Sequence, residues 1–216
     1  MMFCDLVGST ALSERLDPEE WREVVHAYQE TCSTVVERYE GHIAQYLGDG
    51  VLVYFGYPTA HEDDAQRAVR AGLEILEAIH HAPLLQAHSV QVRLGIHTGH
   101  VVVGKVGTAG KREELALGDT PNIAARLQGL AAPDTLLISV ATRRLIIGLF
   151  DCQDLGRHEV KGVSTSLQVY RVLRESSAQS RLEVAVSTGK LTPLVGRANE
   201  VSLVLEAVDK FLTPAA

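Results

Sequence analysis

The segment around Gly48-Asp49-Gly50 constrains the fold of this chain more than any other feature of its sequence. Apolar residues dominate both flanks, at 42–46 and 51–55, and each flank has the length of a β-strand. A short turn of Gly and Asp between two such flanks is typical of a tight β-hairpin. The sequence therefore predicts a pair of neighbouring antiparallel strands at this position.

A long amphipathic helix is predicted just before the hairpin. Asp17 is a suitable N-cap, Pro18 suits the first helical position, and Glu20 completes an Asp-x-x-Glu variant of the capping box. Gly41 ends the helix. One face carries apolar residues at helical spacing and is expected to be buried; it consists of Trp21, Val24, Val25, Tyr28, Cys32, Val35, Val36 and Tyr39.

Strands and helices recur along the rest of the chain. A second helix is predicted to begin with a capping box at 59–62, and a third to be capped by Thr120 with Pro121 at its first position. A shorter helix is predicted at 140–147. The remaining predicted strands are 2–7, 90–96, 101–106, 113–117, 135–139, 150–160 and 167–173. Because several strands pair with near neighbours while helices recur between them, the expected fold class is α+β, with a mostly antiparallel central sheet flanked by helices.

The globular domain is expected to cover residues 1–174. Residues 175–190 contain many Ser, Ala and Gln residues and are typical of a linker. Residues 191–216 begin with LTPLVGR, and an apolar helix follows Glu200; this segment resembles the entry to an AAA-type signalling ATPase, although no GxxxxGK[ST] phosphate loop follows. The resemblance implies the truncated start of a C-terminal ATPase-like region, which would be a partner of the domain in a longer chain.

Composition and charge exclude several classes of protein. The formal net charge of −7 argues against nucleic-acid binding, which usually requires a basic surface. No apolar run reaches the length of about 18 residues that a transmembrane helix needs, and the first residues lack the features of a signal peptide. Cys4, Cys32 and Cys152 fit neither a disulfide framework nor a zinc site. We therefore expect a cytoplasmic protein with no nucleic-acid or membrane partner.

Two aspartates stand at the ends of predicted strands. Asp5 precedes a turn of small residues, and Asp49 lies within the hairpin turn. Taken alone, each side chain more often caps its own turn than binds a ligand. Two carboxylates at adjacent strand ends, however, are suited to hold two magnesium ions, which prefer oxygen ligands and substrate phosphates.

Asn122 and Arg126 stand four residues apart on the third predicted helix and so share one face of it. One interpretation is a solvated helix surface. The other is a functional pair, in which the amide orients a sugar and the guanidinium binds a phosphate, whose oxygens match its fork of donors.

Four motifs together make the chain similar to the class III adenylate/guanylate cyclase catalytic domains, in family order and with family spacing. They are FCDLVGST at 3–10, YLGDG at 46–50, GIHTG at 95–99 and GDTPNIAARL at 118–127. The resemblance extends from residue 2 to about residue 173. It implies a ferredoxin-like class III nucleotide cyclase fold and the conversion of ATP, or alternatively GTP, to a 3′,5′-cyclic monophosphate.

The resemblance implies roles for five residues in the chemistry. Asp5 and Asp49 match the two metal-binding aspartates, and the Leu6 carbonyl is a further expected ligand. The expected cofactors are Mg²⁺ or Mn²⁺, two ions per site. Asn122 matches the asparagine that orients the ribose, and Arg126 matches the arginine that stabilises the transition state.

The resemblance also implies a phosphate site and a partner subunit. In the family, the metal aspartates come from one protomer and the asparagine and arginine from the other, so a homodimer with two shared sites is expected. The positions that match phosphate-binding residues are Gly8, Ser9, Thr10 and Lys161.

The two base-binding positions depart from the family pattern. Typical adenylate cyclases have a lysine before the Gly-Asp motif and an aspartate or threonine before the Asn/Arg helix, whereas guanylate cyclases have glutamate and cysteine. Here these positions are Gln45 and Leu115. Because Leu115 can only pack against a base, we expect loose selectivity or a high KM, with a mild preference for ATP.

Two other functions are compatible with parts of this pattern. The domain could be a catalytically weak or inactive regulatory module that binds nucleotide or dimerises. A diguanylate cyclase or polymerase palm would share a related sheet, but the GDG turn at 48–50 lacks the second carboxylate of a GGDEF-type turn.

Overall fold

The computed structural model describes residues 1–106, 113–159, 166–176 and 202–203. Contacts divide the chain into two units, Met1–Ser177 and Ala178–Ala216. In the second unit, the two described residues are helical. The predicted boundaries of the linker and of the ATPase-like region therefore stay predictions.

The first unit contains nine strands and six helices within the described residues. In chain order they are β1 (Met2–Leu6), α1 (Ser9–Arg15), α2 (Pro18–Arg38), β2 (His42–Leu47), β3 (Gly50–Tyr54), α3 (Asp64–His81), α4 (Pro83–Ala87), β4 (Val92–Ile96), β5 (Val102–Val106), β6 (Glu113–Leu117), α5 (Thr120–Leu130), β7 (Thr135–Ser139), α6 (Val140–Leu145), β8 (Phe150–His158) and β9 (Leu167–Glu175).

Seven strands form the central sheet in the order β2-β3-β1-β4-β7-β9-β8, and β5 and β6 form a separate antiparallel pair. Five of the six neighbouring pairs in the central sheet are antiparallel, and β4 with β7 is the parallel one. The predicted α+β fold with a mostly antiparallel sheet is confirmed. The predicted hairpin at 48–50 joins β2 to β3.

Side chains of β1 alternate between the two faces of the sheet. Met2, Cys4 and Leu6 are buried on one face. Asp5 belongs to the other face, with Arg93 opposite it on β4. Helix α5 covers this second face by packing on β1, β4 and β7. One face of β1 therefore contributes apolar side chains to the core, and the other face carries the charged side chain of Asp5.

Helix α2 begins at the predicted cap. The Asp17 Oδ1 atom accepts hydrogen bonds from the amides of Glu19 and Glu20, at 2.8 and 2.9 Å. Most of the predicted apolar face is buried. Trp21 and Val25, however, are only half-buried, because they line an open cleft instead of the core.

Two predicted helix starts are wrong. Helix α3 begins at Asp64 and not at the capping box predicted at 59–62, because the Asp64 carboxylate itself accepts the amide hydrogen of His61 at 2.9 Å. Thr120 is the first residue of α5 and not its cap; its hydroxyl donates to the His100 carbonyl at 3.1 Å. The short helices α1 and α4 were not predicted.

A glycine determines how closely α5 approaches the sheet. A Cβ atom on Gly95 of β4 would overlap the backbone of Ala124 and Gln128 in α5. Only a glycine leaves room for helix backbone to rest directly on strand backbone. The contact places the C-terminal half of α5 over the centre of the sheet, beside Asp5.

The three cysteines are free, and Cys4 and Cys32 are fully buried. Among the described helices, none combines the length and apolar character that crossing a membrane requires.

Candidate active site

Asp5 and Asp49 lie together at one edge of the central sheet. Asp5 is opposite Gly50 in the register between β1 and β3. Asp49 occupies the turn just before Gly50, and its carbonyl accepts the amide hydrogen of Leu6 at 3.3 Å. Asp5 and Asp49 are 44 residues apart in the sequence, and the antiparallel pairing of β1 with β3 brings them next to each other.

Burial and like charge act together on Asp5. Burial raises the pKa of the Asp5 carboxyl, and the neighbouring Asp49 carboxylate raises this pKa further. The Arg93 guanidinium and the Gln128 amide lower the same pKa but do not outweigh the first two causes. The ionised form of the Asp5 carboxyl is therefore disfavoured in the folded protein, and a bound cation would stabilise it.

Two side chains that the sequence reasoning missed contact Asp5. Gln128 of α5 donates from Nε2 to Asp5 Oδ2 at 3.1 Å, and Arg93 Nη2 lies 3.8 Å from the same oxygen. Their motifs offered a signal, since Arg93 stands two residues before the GIHTG motif and Gln128 two residues after Arg126. Neither residue type indicates such a contact unless the sheet order is known.

The donor set at this edge fits a divalent cation of the Mg²⁺ type. Both contacts from Gln128 and Arg93 reach Oδ2 of Asp5, and a Cβ atom on Gly50 would lie 3.4 Å from Oδ1, so glycine keeps that side uncrowded. Within the described residues, no three His, Cys, Asp or Glu side chains are grouped to hold a metal. Mg²⁺ commonly takes one or two carboxylates and completes its shell with water and substrate phosphates.

A cleft of about 580 Å³ adjoins Asp49. Ser9 and Thr10 line it together with Gly48 and Asp49. Gly8 precedes these residues in the left-handed conformation, with φ of 65°, and forms the N-cap of α1. The structure thus brings the predicted phosphate-binding turn beside the second aspartate. Basic and aromatic side chains of α2, Trp21, Arg22 and His26, complete one wall.

Asn122 and Arg126 are not among the residues that line this cleft. Both lie on α5, Asn122 exposed and Arg126 half-buried. At 3.6 residues per turn, Arg126 projects roughly 200° around the helix axis from Gln128, which faces Asp5. Asn122 projects within roughly 40° of Arg126. The predicted pair therefore points away from the aspartates of its own chain.

The structure describes the remaining predicted site residues to different extents. Gln45 is half-buried on β2, opposite Leu52 of β3. Leu115 pairs through its backbone with Gly104 in the β5–β6 sheet, and its side chain lies outside the description. Lys161 also lies outside the described residues.

Comparison with protein families gives one match over most of the chain. A profile described as "Adenylate and Guanylate cyclase catalytic domain" matches residues 1–174.

Individual relatives include cyclases of both kinds. Adenylate cyclase 1 of Rhizobium meliloti is 34% identical over 178 residues, which are 80% of this chain and 27% of that protein. The adenylyl cyclase CyaB of P. aeruginosa has 31% identity and a TM-score of 0.76, covering 82% of this chain and 93% of the solved one. The guanylate cyclase domain of RhGC from Catenaria anguillulae, solved with GTP, has 27% identity and a TM-score of 0.77, with 81% and 95% covered. This chain spans about a quarter of the first relative's length.

Proposed function

Because this chain belongs to the family of adenylate and guanylate cyclase catalytic domains, we propose that it converts ATP to 3′,5′-cyclic AMP and pyrophosphate. The observation that carries the proposal is the pairing of Asp5 with Asp49 beside a cleft that Ser9 and Thr10 also line. Paired carboxylates next to such a cleft suit an attack on the α-phosphorus of a nucleoside triphosphate, with pyrophosphate as the leaving group.

Asp5 and Asp49, with the Leu6 carbonyl, are the groups that would hold two Mg²⁺ or Mn²⁺ ions. Such ions activate the attacking ribose 3′-hydroxyl and stabilise the attacking and leaving oxygens. The turn formed by Gly8, Ser9 and Thr10 would bind the triphosphate through its backbone amides, next to the aspartates.

The other half of the site comes from α5. Asn122 would orient the ribose so that its 3′-hydroxyl lies in line with the α-phosphorus. Arg126 would stabilise the charge that develops on the α-phosphate. Lys161 would contact the terminal phosphates. No protein group is required as the base.

A homodimer explains why these two halves are separated within one chain. Arg126 points away from the aspartates of its own chain, so it would complete the site of a second copy. The β5–β6 pair offers an apolar contact surface: Val102 and Leu117 are cross-strand partners, and 69% and 56% of their surfaces are exposed. Exposed apolar side chains that adjoin one another mark protein contacts.

The preference for ATP rests on the adenylate cyclases among the relatives and not on Gln45. Its amide can both donate and accept hydrogen bonds, so it would tolerate guanine too. Leu115 supplies only apolar contact. We therefore expect selectivity of about 10- to 200-fold and not the 10⁴-fold of a hydrogen-bonding pocket.

The domain is proposed to work in the cytoplasm as part of a longer chain. Three free thiols and the use of ATP fit a reducing cytoplasm. Residues 191–216 would begin the ATPase-like region of a longer regulator.

The proposal is tested by incubating the purified protein with ATP or GTP, each with Mg²⁺ or Mn²⁺, and quantifying cyclic products by mass spectrometry. Asp49→Ala and Arg126→Ala are assayed separately and as a mixture. Cyclic AMP that is lost in each variant and partly restored in the mixture supports a shared-site cyclase. A folded dimer that binds nucleotide but makes no product under any condition favours a regulatory module instead.

A further inference from the structure

The geometry points to Gln128 as a positioning residue: its side-chain amide orients the Asp5 carboxylate so that Oδ1 faces the divalent cation. The inference rests on the proposed function, because it takes Asp5 as a metal ligand. It adds a residue of α5 that serves the site of its own chain, whereas Arg126 of the same helix would serve the partner's site.

The two oxygens of Asp5 have different surroundings. Oδ2 accepts the Gln128 hydrogen bond at 3.1 Å and lies 3.8 Å from Arg93 Nη2. Oδ1 is the oxygen next to Gly50, where a side chain is lacking. A carboxylate with one oxygen engaged has little freedom to rotate, so the other oxygen keeps a defined direction. A fixed direction is what a small cation with strict octahedral geometry requires.

The position of Gln128 is itself rigid. Its backbone lies against Gly95 of β4, where even a methyl group would not fit. The half-buried side chain therefore starts from a backbone position that rests directly on the sheet. Asp5 is equally constrained, since β1 pairs with β3 on one side and β4 on the other. A hydrogen bond between two such fixed elements loses little conformational entropy when it forms.

The first test measures metal binding without turnover. Gln128→Met keeps the size of the side chain but removes the donor, and Gln128→Leu is a second variant should the first fail to fold. Binding of Mn²⁺ alone is measured from the loss of the free-ion signal in electron paramagnetic resonance. Partners that orient a metal ligand typically contribute 10- to 100-fold to affinity, so we expect Mn²⁺ binding to weaken by about 10-fold or more.

Gln86→Met is the matched control, because Gln86 is an exposed glutamine of α4, a helix that packs on α2 and α3. It should leave the Mn²⁺ affinity within about 2-fold of that of the unmodified protein, well below the effect of an orienting partner. Thermal unfolding verifies that all variants are folded. A Mn²⁺ affinity of folded Gln128→Met equal to that of the control overturns the inference.

The second test asks which site Gln128 serves. In a mixture of Arg126→Ala and Asp49→Ala chains, the one complete site combines the aspartates of the first chain with Arg126 of the second. Gln128→Met placed in the Arg126→Ala chain should lower the activity by about 10-fold or more. The same change placed in the Asp49→Ala chain should leave the activity nearly unaltered.

Equal losses of activity in both placements would mean that Gln128 acts through the packing of α5. No loss in either placement would mean that Gln128 has no role at Asp5. Each of these results overturns the inference. If the mixture without Gln128→Met makes no cyclic product, the shared-site proposal fails, and the Mn²⁺ titration still decides the role of Gln128.

Discussion

Two regions of this molecule differ in how firmly the fold holds them. The aspartate edge, which comprises Asp5, Asp49 and the turn around them, is built on strands that are paired on both sides within the central sheet. Among the strands that the structure describes, those of the ribbon, β5 and β6, pair only with each other. One hydrogen bond, from the Ala116 amide to the Tyr54 hydroxyl at 3.1 Å, connects it to β3.

The difference indicates a division of labour. A two-stranded ribbon has little stability of its own in water, so it could adapt to the partner copy and the base that we propose. The aspartate edge must instead hold two like charges close together, which only a rigid scaffold can do. We expect changes at the edge to act on catalysis and folding, and changes around the ribbon to act on selectivity and association.

The largest contrast is expected in turnover. Asp49→Ala should lower kcat by at least the 10²- to 10³-fold that loss of one transition-state donor costs, because it removes half of the carboxylate pair. Gln45→Ala, at a base-binding position, should change kcat/KM by about 10-fold or less, since it removes only one polar contact. Initial rates of cyclic AMP formation measure both. Because Gln45 lies on β2, the contrast is between a metal-binding and a base-binding position, and similar losses of kcat/KM in the two variants would contradict it.

The second contrast is in stability and uses two glycines. Gly95→Ala should lower the free energy of unfolding by about 1–3 kcal/mol, because the new methyl group overlaps the backbone of α5. Gly104→Ala in β5 is the matched control: nothing lies within 4 Å of its Cβ position, and the change should stay within about 0.5 kcal/mol. Urea unfolding of both variants checks this. Equal midpoints would show that α5 can move off the sheet.

The third prediction concerns selectivity. Gln45→Lys combined with Leu115→Asp installs the pair typical of adenylate cyclases in this family. The ratio of kcat/KM for ATP to that for GTP should rise by about 10-fold or more, since a polar pocket rejects an unmatched base more strongly than an apolar one. Competition assays with both nucleotides measure the ratio. An unchanged ratio would place base recognition at other residues.

The last prediction concerns His97, which lies between β4 and β5. Burial, together with a smaller effect of the nearby Met1 amino group, lowers the pKa of His97 from its ordinary 6.5 to about 4. The folded state thus binds fewer protons than the unfolded state between these values. The free energy of unfolding should fall as the pH drops from about 6.5 to about 4. Urea midpoints across this range measure the fall.

His97→Asn tests the assignment, because it removes the titrating ring. The variant should show a shallower dependence of unfolding on pH within the same window. A slope identical to that of the unmodified protein would assign the pH dependence to another group.

Local patterns were sufficient for much of the fold. The apolar face of α2 and the Asp17 cap predicted the longest helix, and the GDG turn predicted the hairpin. They failed where a different hydrogen bond formed, a local one at Asp64 and a distant one at Thr120. Helix α3 begins where the Asp64 carboxylate meets the His61 amide, and the Thr120 hydroxyl bonds a distant carbonyl instead of its own helix. Capping signals cannot distinguish these outcomes, since the same side chains can bond locally or remotely.

In the candidate site, too, some features follow from local sequence and others depend on the tertiary structure. The sequence by itself determined the family, the α+β class and the identity of Asp5, Asp49, Asn122 and Arg126 as candidates, because short motifs and hydrophobic periods are local properties of the chain. Only the tertiary structure decided that Gln128 and Arg93 contact Asp5, and that Arg126 turns away from it. Those facts depend on strand order and on the contact of α5 with Gly95, which join residues more than 30 positions apart through packing that no local pattern encodes.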